Sequence, residues 1–182
     1  MSRAWLLALI AWGCAGWRPV PPGAVRPPCP AGAYLGLRGE AELCVGRATY
    51  RMLLLVRRPA ELHVLVLDPV GLPLWEVHVR GGPVRLPGLP SLRARSLVSL
   101  LMGAVPAGGR LYRRDGQLRL RAPGVEAEFQ DGALRALRVG RARASYLEMR
   151  PDGLPRLLRL ELPRGVSALV RYRRITPLFP SS

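Results

Sequence analysis

Short apolar segments separated by turn residues recur from Leu35 to Tyr172, and this series constrains the fold more than any other feature. Several segments alternate apolar and polar residues with the two-residue period of a strand, as Val125–Gln130 (VEAEFQ) does. Asp-Gly pairs at positions 115–116 and 131–132 are the strongest short-range signal for a hairpin. Together these features predict a long antiparallel sheet. A sheet of this size does not stay flat, so we expect it to curl around an apolar interior.

The first half of the chain carries four of these predicted strands: Leu35–Val45, Tyr50–Val56, Leu62–Leu67 and Leu72–Val79. One later segment follows a helical period instead. Leu97, Leu100 and Leu101 recur at the spacing of one helix face within Ser91–Met102, with Ser91 as the N-cap and Gly103 as the stop. The predicted class is therefore mainly β (α+β), with one helix inserted mid-chain.

The N-terminus has the layout of a secretory signal. Arg3 precedes a compact apolar stretch, Ala4–Ala11 (AWLLALIA), which is too short to span a bilayer and lacks the polar face of a core helix. Gly13 and Cys14 follow among small residues. We therefore expect export. An exported chain does not meet the genome, so no nucleic-acid partner is expected.

A Cys directly after Gly at the end of such a stretch resembles the lipobox of bacterial lipoproteins. The resemblance implies that Cys14 is lipidated, becomes the mature N-terminus and holds the protein on a membrane surface. Ala15 follows rather than Asp, so we expect outer-membrane residence facing the periplasm. The alternative is ordinary signal cleavage nearby, with Cys14 an incidental small residue.

A proline-rich stretch, Trp17–Pro30, predicts an extended tether between anchor and domain. Cys29 and Cys44 are the two other cysteines, and in an oxidising compartment they can pair with each other. Otherwise Cys44 is simply a small apolar strand residue.

The charge of the chain is strongly positive, at +16, and Arg supplies every basic residue. This balance favours anionic partners. A preference of a GC-rich genome for Arg explains the same composition, and both interpretations remain.

Catalytic patterns are hard to find. His63 and His78 lie in neighbouring predicted strands, but no Cys or carboxylate completes a convincing metal set. Glu126 and Glu128 share a strand face, which a solvated hairpin explains better than acid–base chemistry. No phosphate-binding loop is present. We expect a binding protein without a cofactor, not an enzyme.

Three stretches resemble the LolA/LolB group of periplasmic lipoprotein carriers and outer-membrane receptors. They are LLLVRRPAELHVLVLDPVGLPLWEVHV, SLRARSLVSLLMGAVPAGG and GLPRLLRLELPRGVSALVRYRRI, within Tyr34–Ile175. The resemblance implies a half-open β-barrel whose helix caps an apolar cavity for acyl chains handed over by a carrier protein. It also implies that Val70, with Leu72 close by, contacts the membrane from an exposed turn.

The apolar faces of the segments predict which residues point inward. We expect the cavity to be lined by Leu54, Val64, Trp75, Leu97, Leu101 and Phe129. The predicted organisation is a signal peptide (1–13), a lipidated tether (14–33), a LolB-like binding domain (34–176) and a tail (177–182).

Two functions remain. In one, the protein binds acyl chains of lipoproteins or lipids and helps transfer them to the membrane. In the other, it is a non-catalytic assembly lipoprotein whose Arg-rich surface binds anionic glycolipid or a protein complex.

Overall fold

The protein consists largely of one antiparallel sheet, as seen in a computed structural model that describes residues 16–21, 34–106 and 108–179. The strands are β1 (Arg18–Pro19), β2 (Gly36–Val45), β3 (Ala48–Arg57), β4 (Glu61–Leu67), β5 (Pro73–Arg80), β6 (Pro83–Val84), β7 (Leu92–Arg93), β8 (Arg110–Arg114), β9 (Gln117–Ala122), β10 (Val125–Gln130), β11 (Ala133–Val139), β12 (Ala142–Met149), β13 (Pro155–Leu162) and β14 (Val166–Leu178). The α-helix of the described residues is α1 (Ala94–Met102), and a short 3-10 turn spans Pro163–Gly165. The predicted mainly-β class is therefore confirmed.

Twelve strands lie in the order β1-β8-β9-β10-β11-β12-β13-β14-β2-β3-β4-β5, and β6 pairs with β7 separately. Strand β14 pairs along the whole of β2, so the last strand of the chain joins its first long strand. Both predicted Asp-Gly hairpins are present, and Asp115 and Asp131 take the positive φ angles that such turns need. Among the described residues, the edge strands β1 and β5 do not pair with each other, so the half-open barrel stays a prediction.

The helix shows that the sheet curls. Helix α1 contacts β3 and β4 and also β11, β12 and β13, although β11 and β4 are six steps apart in the sheet. Six steps of about 4.8 Å would cover roughly 29 Å in a flat sheet, whereas a helix is only about 10–12 Å wide. The inner face of the sheet must therefore wrap around α1.

The start of the helix differs from the prediction at Ser91. Leu92 and Arg93 pair with Val84 and Pro83 as a short ladder, so the backbone is still extended at Arg93, the N-cap residue. The helix therefore begins two residues later than predicted, at Ala94. Its predicted end is confirmed, because Gly103 takes the left-handed conformation that ends many helices.

Two predicted boundaries also differ. Arg18 and Pro19, placed in the tether by the sequence, pair with Arg113 and Tyr112 at the edge of the sheet. At the other end, β14 continues to Leu178, two residues beyond the predicted end of the domain. The sheet therefore includes parts of both flanking segments.

Candidate functional site

Two buried tyrosines fix the helix on the inner face of the sheet. The Tyr146 hydroxyl donates a hydrogen bond to the Leu100 carbonyl (2.8 Å), and the Tyr172 hydroxyl donates to the Leu101 carbonyl (3.0 Å). Carbonyls in the last turn of a helix lack partners within the helix, so these bonds satisfy them. Burial raises the pKa of both tyrosines, and the proximity of Tyr172 adds to the effect on Tyr146. Both hydroxyls therefore remain protonated donors.

The residues predicted to line a cavity lie close to this helix. Five of them are almost fully buried in one continuous core: Leu54, Val64, Leu97, Leu101 and Phe129. Trp75 is half-buried on edge strand β5 and packs against the same core. The structure thus brings the six residues to one apolar interior, and their role as the lining of a ligand cavity stays a prediction.

A cavity of about 650 Å³ opens beside the helix, in the size range of ligand pockets. Its walls are α1, the turn between β3 and β4, and the turn between β9 and β10. Arg95 and Ser99 reach it from the helix, while Ala122, Val125 and Val139 contribute apolar surface. No carboxylate is among its lining residues. No sequence pattern indicates this cavity, because its walls come from segments far apart in the chain.

The turn between β4 and β5 is held rigidly by Asp68. One carboxylate oxygen of Asp68 accepts hydrogen bonds from the Val70 and Leu72 backbone amides (2.9 and 2.8 Å). The Asp68 amide donates to the Leu72 carbonyl, and Gly71 takes a positive φ angle that permits the reversal. The turn therefore has a defined shape although it lies at the surface.

The apolar side chains of this turn face solvent. Val70 is 81% exposed and Leu72 is 63% exposed. Leu74, which the sequence did not single out, is 61% exposed on the same strand face as Glu76. Three adjacent apolar side chains that join no core form a surface suited to an apolar partner. Hereafter Val70, Leu72 and Leu74 are called the apolar tip.

The two histidines are cross-strand neighbours on the outer face of β4 and β5. Their rings are 5.2 Å apart, and each lies near a carboxylate: His63 Nε2 is 2.7 Å from Glu76 Oε1, and His78 Nε2 is 3.5 Å from Glu61 Oε1. Among the described residues, no group of three or more His, Cys, Asp or Glu side chains is placed to hold a metal ion. These are exposed polar contacts of the sheet surface.

The lipidation and disulfide predictions fall largely on other residues. Cys14 and Cys29 lie outside the described residues. Cys44 is half-buried on β2 and forms no disulfide with another described residue, and its sulfur accepts a hydrogen bond from Thr49 (3.5 Å). Both predictions therefore stay predictions.

The described residues thus form a curled antiparallel sheet around helix α1. A cavity lies beside the helix, and the apolar tip is exposed at the surface. Neither protein-family models nor curated proteins match the chain. Among solved structures, a LolA superfamily protein from Nitrosomonas europaea aligns over 83% of this chain and 88% of that chain, at 11% identity and a TM-score of 0.36. Similarity at this level assigns neither a family nor a function. Within the part of the chain that the structure covers, no helix is long and apolar enough to cross a membrane.

Proposed function

We propose that this protein is an exported, non-catalytic envelope lipoprotein that binds acyl chains of lipoproteins or lipids and helps transfer them to a membrane. Its anchor is the lipidated Cys14 in the outer membrane, and a periplasmic carrier protein supplies the cargo. The acyl chains occupy the cavity beside α1, whose described lining includes none of the six predicted lining residues, and they extend toward the core to which those six belong. The apolar tip contacts the bilayer during delivery.

The observation that carries this proposal is the apolar tip itself. A turn adapted only to water would present Asn, Ser or Asp where Val70 stands. The hydrogen bonds of Asp68 hold the tip in one shape, so little ordering is required when it meets a bilayer. Burying one such side chain contributes about 1.5–3 kcal/mol, which supports a transient contact but not an anchor.

The cavity beside the helix adds the second component of a transfer protein. It adjoins the interior, and its lining combines apolar residues with Arg95 and two serines of the helix. An acyl chain can lie against Val125 and Val139 while a polar head remains near Arg95. Such a division between apolar body and few polar groups is usual in ligand pockets.

Val70→Glu tests the contact with the bilayer. Because Val70 has little core to lose, the free energy of unfolding should change by less than about 0.5 kcal/mol. Transfer of bound fluorescent lipid into liposomes should slow several-fold. Leu147→Glu is the matched control, since Leu147 is 46% exposed on distant strand β12. Unchanged transfer by Val70→Glu would show that the tip is an ordinary turn.

Native mass spectrometry of the purified protein tests binding separately from transfer. Co-purified lipid that disappears in Ser99→Trp, which fills the cavity beside α1, would support the proposed ligand position.

Cys14→Ser should release the protein from membranes. A wild-type protein that already fractionates as soluble would contradict the anchor.

The second candidate is an assembly lipoprotein that binds anionic glycolipid or a protein complex through its Arg-rich surface. It is favoured by exposed Arg138, Arg159 and Arg171 on β11, β13 and β14, which form no ion pair with any described residue. Capture on lipopolysaccharide-coated beads, lost when these three are changed to Ser while lipid transfer is normal, would favour this function.

A further inference from the structure

Parts of strands β3 and β4 are apolar on both faces. Met52–Val56 reads MLLLV and Val64–Leu67 reads VLVL, without the polar residues that an antiparallel strand usually turns to water. The inner-facing residues belong to the core. The outer-facing residues are leucines, and Leu53 is 43% exposed while Leu55 and Leu65 are half-buried. Continuous apolar runs are typical of strands that are covered on both sides.

These leucines form the floor of a groove of about 560 Å³ on the outer face. Leu53 and Leu65 are direct cross-strand partners, and Leu55 is the next outward-facing residue along β3. Arg38 on β2 and Arg174 on β14 line the groove beside the leucines. This outer groove lies on the face opposite to α1, and therefore opposite to the site of the proposed function.

A β-bulge aims Arg174 into the outer groove. Tyr172 pairs with Ala41 and Arg174 with Glu40, so Arg173 is an extra residue in β14. Two residues after the buried Tyr172, Arg174 would face inward in a regular strand, whereas the bulge leaves it exposed. The distortion brings the Arg174 carbonyl within 2.1 Å of where a Cβ of Gly39 would lie, so only glycine fits there.

The groove carries a local excess of positive charge. Glu40 lines the groove, and its carboxylate is 2.7 Å from Arg51 Nε. His63 also lines the groove, and its Nε2 is 2.7 Å from the Glu76 carboxylate. Arg38 and Arg174 form no ion pair with any described residue. Two guanidinium groups that form no ion pair with a described residue therefore lie beside the apolar floor, while the one carboxylate among the described lining residues contacts Arg51.

We propose that the outer groove binds a single anionic amphiphile, with its carboxylate on Arg38 and Arg174 and its acyl chain along Leu53, Leu55 and Leu65. Charge complementarity selects the head, because Arg binds carboxylates with strong charge-assisted hydrogen bonds. An extended peptide is a poor occupant, since β2, β3 and β4 are paired on both sides and offer no free backbone groups. A bilayer is a poorer occupant than a single chain, since Leu55 and Leu65 are only half-exposed beside the longer side chains that line the groove.

The test is titration of the full purified protein with laurate below its micelle-forming concentration, followed by calorimetry. Leu53→Glu should abolish binding, and Arg174→Ala should weaken it about tenfold or more, as expected for loss of a charge-assisted hydrogen bond. Leu147→Glu and Arg47→Ala are the matched controls, because Leu147 is exposed on β12 and Arg47 is exposed in the turn between β2 and β3, and neither lines the groove. Dodecanol, which has no charge, should bind more weakly than laurate. Circular dichroism should show that all four variants fold.

Three results would overturn the proposal. One is absence of laurate binding, or equal affinity for all four variants. Another is laurate binding that Ser99→Trp removes and Leu53→Glu does not, which places the ligand in the cavity beside α1 and supports only the proposed function. The third is loss of binding to anionic vesicles by Leu53→Glu without any binding of monomeric laurate, which makes the groove a bilayer contact. Normal laurate binding alongside failed lipid transfer would instead refute the proposed function alone.

Discussion

Two regions of the same sheet differ in the types of residue on their outer faces. In the runs Met52–Val56 of β3 and Val64–Leu67 of β4 the outward residues are leucines, whereas in β10 and β13 they are mainly glutamates and arginines that alternate with a buried apolar row. Strands β3, β4 and β13 contact the same helix on the inside, and Phe129 of β10 belongs to the same core. Because the inner faces of both regions pack into the same core, the difference between their outer faces reflects the different surroundings of those outer faces. The charged region is suited to water, and the apolar region is the one for which we propose a ligand.

The two regions also hold the helix by different means. Tyr146 and Tyr172, on β12 and β14, hydrogen-bond to carbonyls in the last turn of α1. Strands β3 and β4 contact the helix with core side chains such as Leu54 and Val64. Apolar contacts are less directional than hydrogen bonds, so the tyrosine side defines the position of the helix and the leucine side fills the space around it.

The largest expected effect tests whether the inner faces are equivalent. Leu54→Ala on β3 and Leu160→Ala on β13 each remove a buried side chain from the core, so each should lower the free energy of unfolding by about 2–5 kcal/mol. Leu53→Ala, next to Leu54 but facing out, should cost less than about 1 kcal/mol. Urea unfolding at fixed pH measures all three. A cost for Leu53→Ala equal to that of Leu54→Ala would mean that the outer groove is part of the core.

How far the sequence predicts this structure depends on the range of the interactions. Local signals suffice for the hairpin at Asp131, the end of the helix at Gly103 and the shape of the turn at Asp68. The start of the helix is mispredicted because the pairing of Leu92 with Val84 is a tertiary contact that overrides Ser91. Likewise, no local sequence signal predicts that Trp17 packs against Arg119 at the sheet edge. The guanidinium carbon of Arg119 is 4.2 Å from the centre of the Trp17 ring.

The functional features show the same division. The apolar tip is predictable because an exposed Val70 follows from the turn residues alone. The cavity beside α1 and the bulge at Arg173 depend on how distant strands meet. The runs of β3 and β4 that are apolar on both faces are visible in the sequence, but only the structure shows that their outward leucines stay partly exposed.

The next largest expected effect concerns the two tyrosine hydrogen bonds that hold the last turn of α1. Tyr172→Phe and Tyr146→Phe each leave a buried helix carbonyl without its donor, so each should cost about 1–3 kcal/mol. Hydrogen exchange should report faster opening of the last turn of α1 in both variants. A loss spread evenly over the helix and β3 would contradict a specific anchoring role for the tyrosines.

The same tyrosines predict a dependence on pH. Burial raises the pKa of both hydroxyls above their ordinary value of 10.0. The unfolded chain therefore releases these protons at a lower pH than the folded protein, and stability is retained below about pH 10 and falls as the pH rises above it. Unfolding measured from pH 8 to 11.5 should show this fall in the wild type. The fall should be smaller in Tyr172→Phe; an identical fall would assign it to other groups.

The smallest effect concerns the charged outer face. Glu128 on β10 is 3.0 Å from Arg119 and 3.2 Å from Arg143, so it bridges its neighbours in the charged region. The three side chains are 22–38% exposed, and solvent screens such pairs strongly. Glu128→Gln should therefore lower the free energy of unfolding by at most about 1 kcal/mol at low salt, and the difference should nearly vanish at 1 M salt. Glu148→Gln provides the control, because Glu148 is more exposed and lies 3.7 Å from Arg156, and it should have little effect at any salt concentration. A loss of more than about 2 kcal/mol that persists at high salt would mean that the charged face stabilises the fold as strongly as a buried region does. The distinction between a solvated region and a ligand-adapted region of the sheet would then no longer hold.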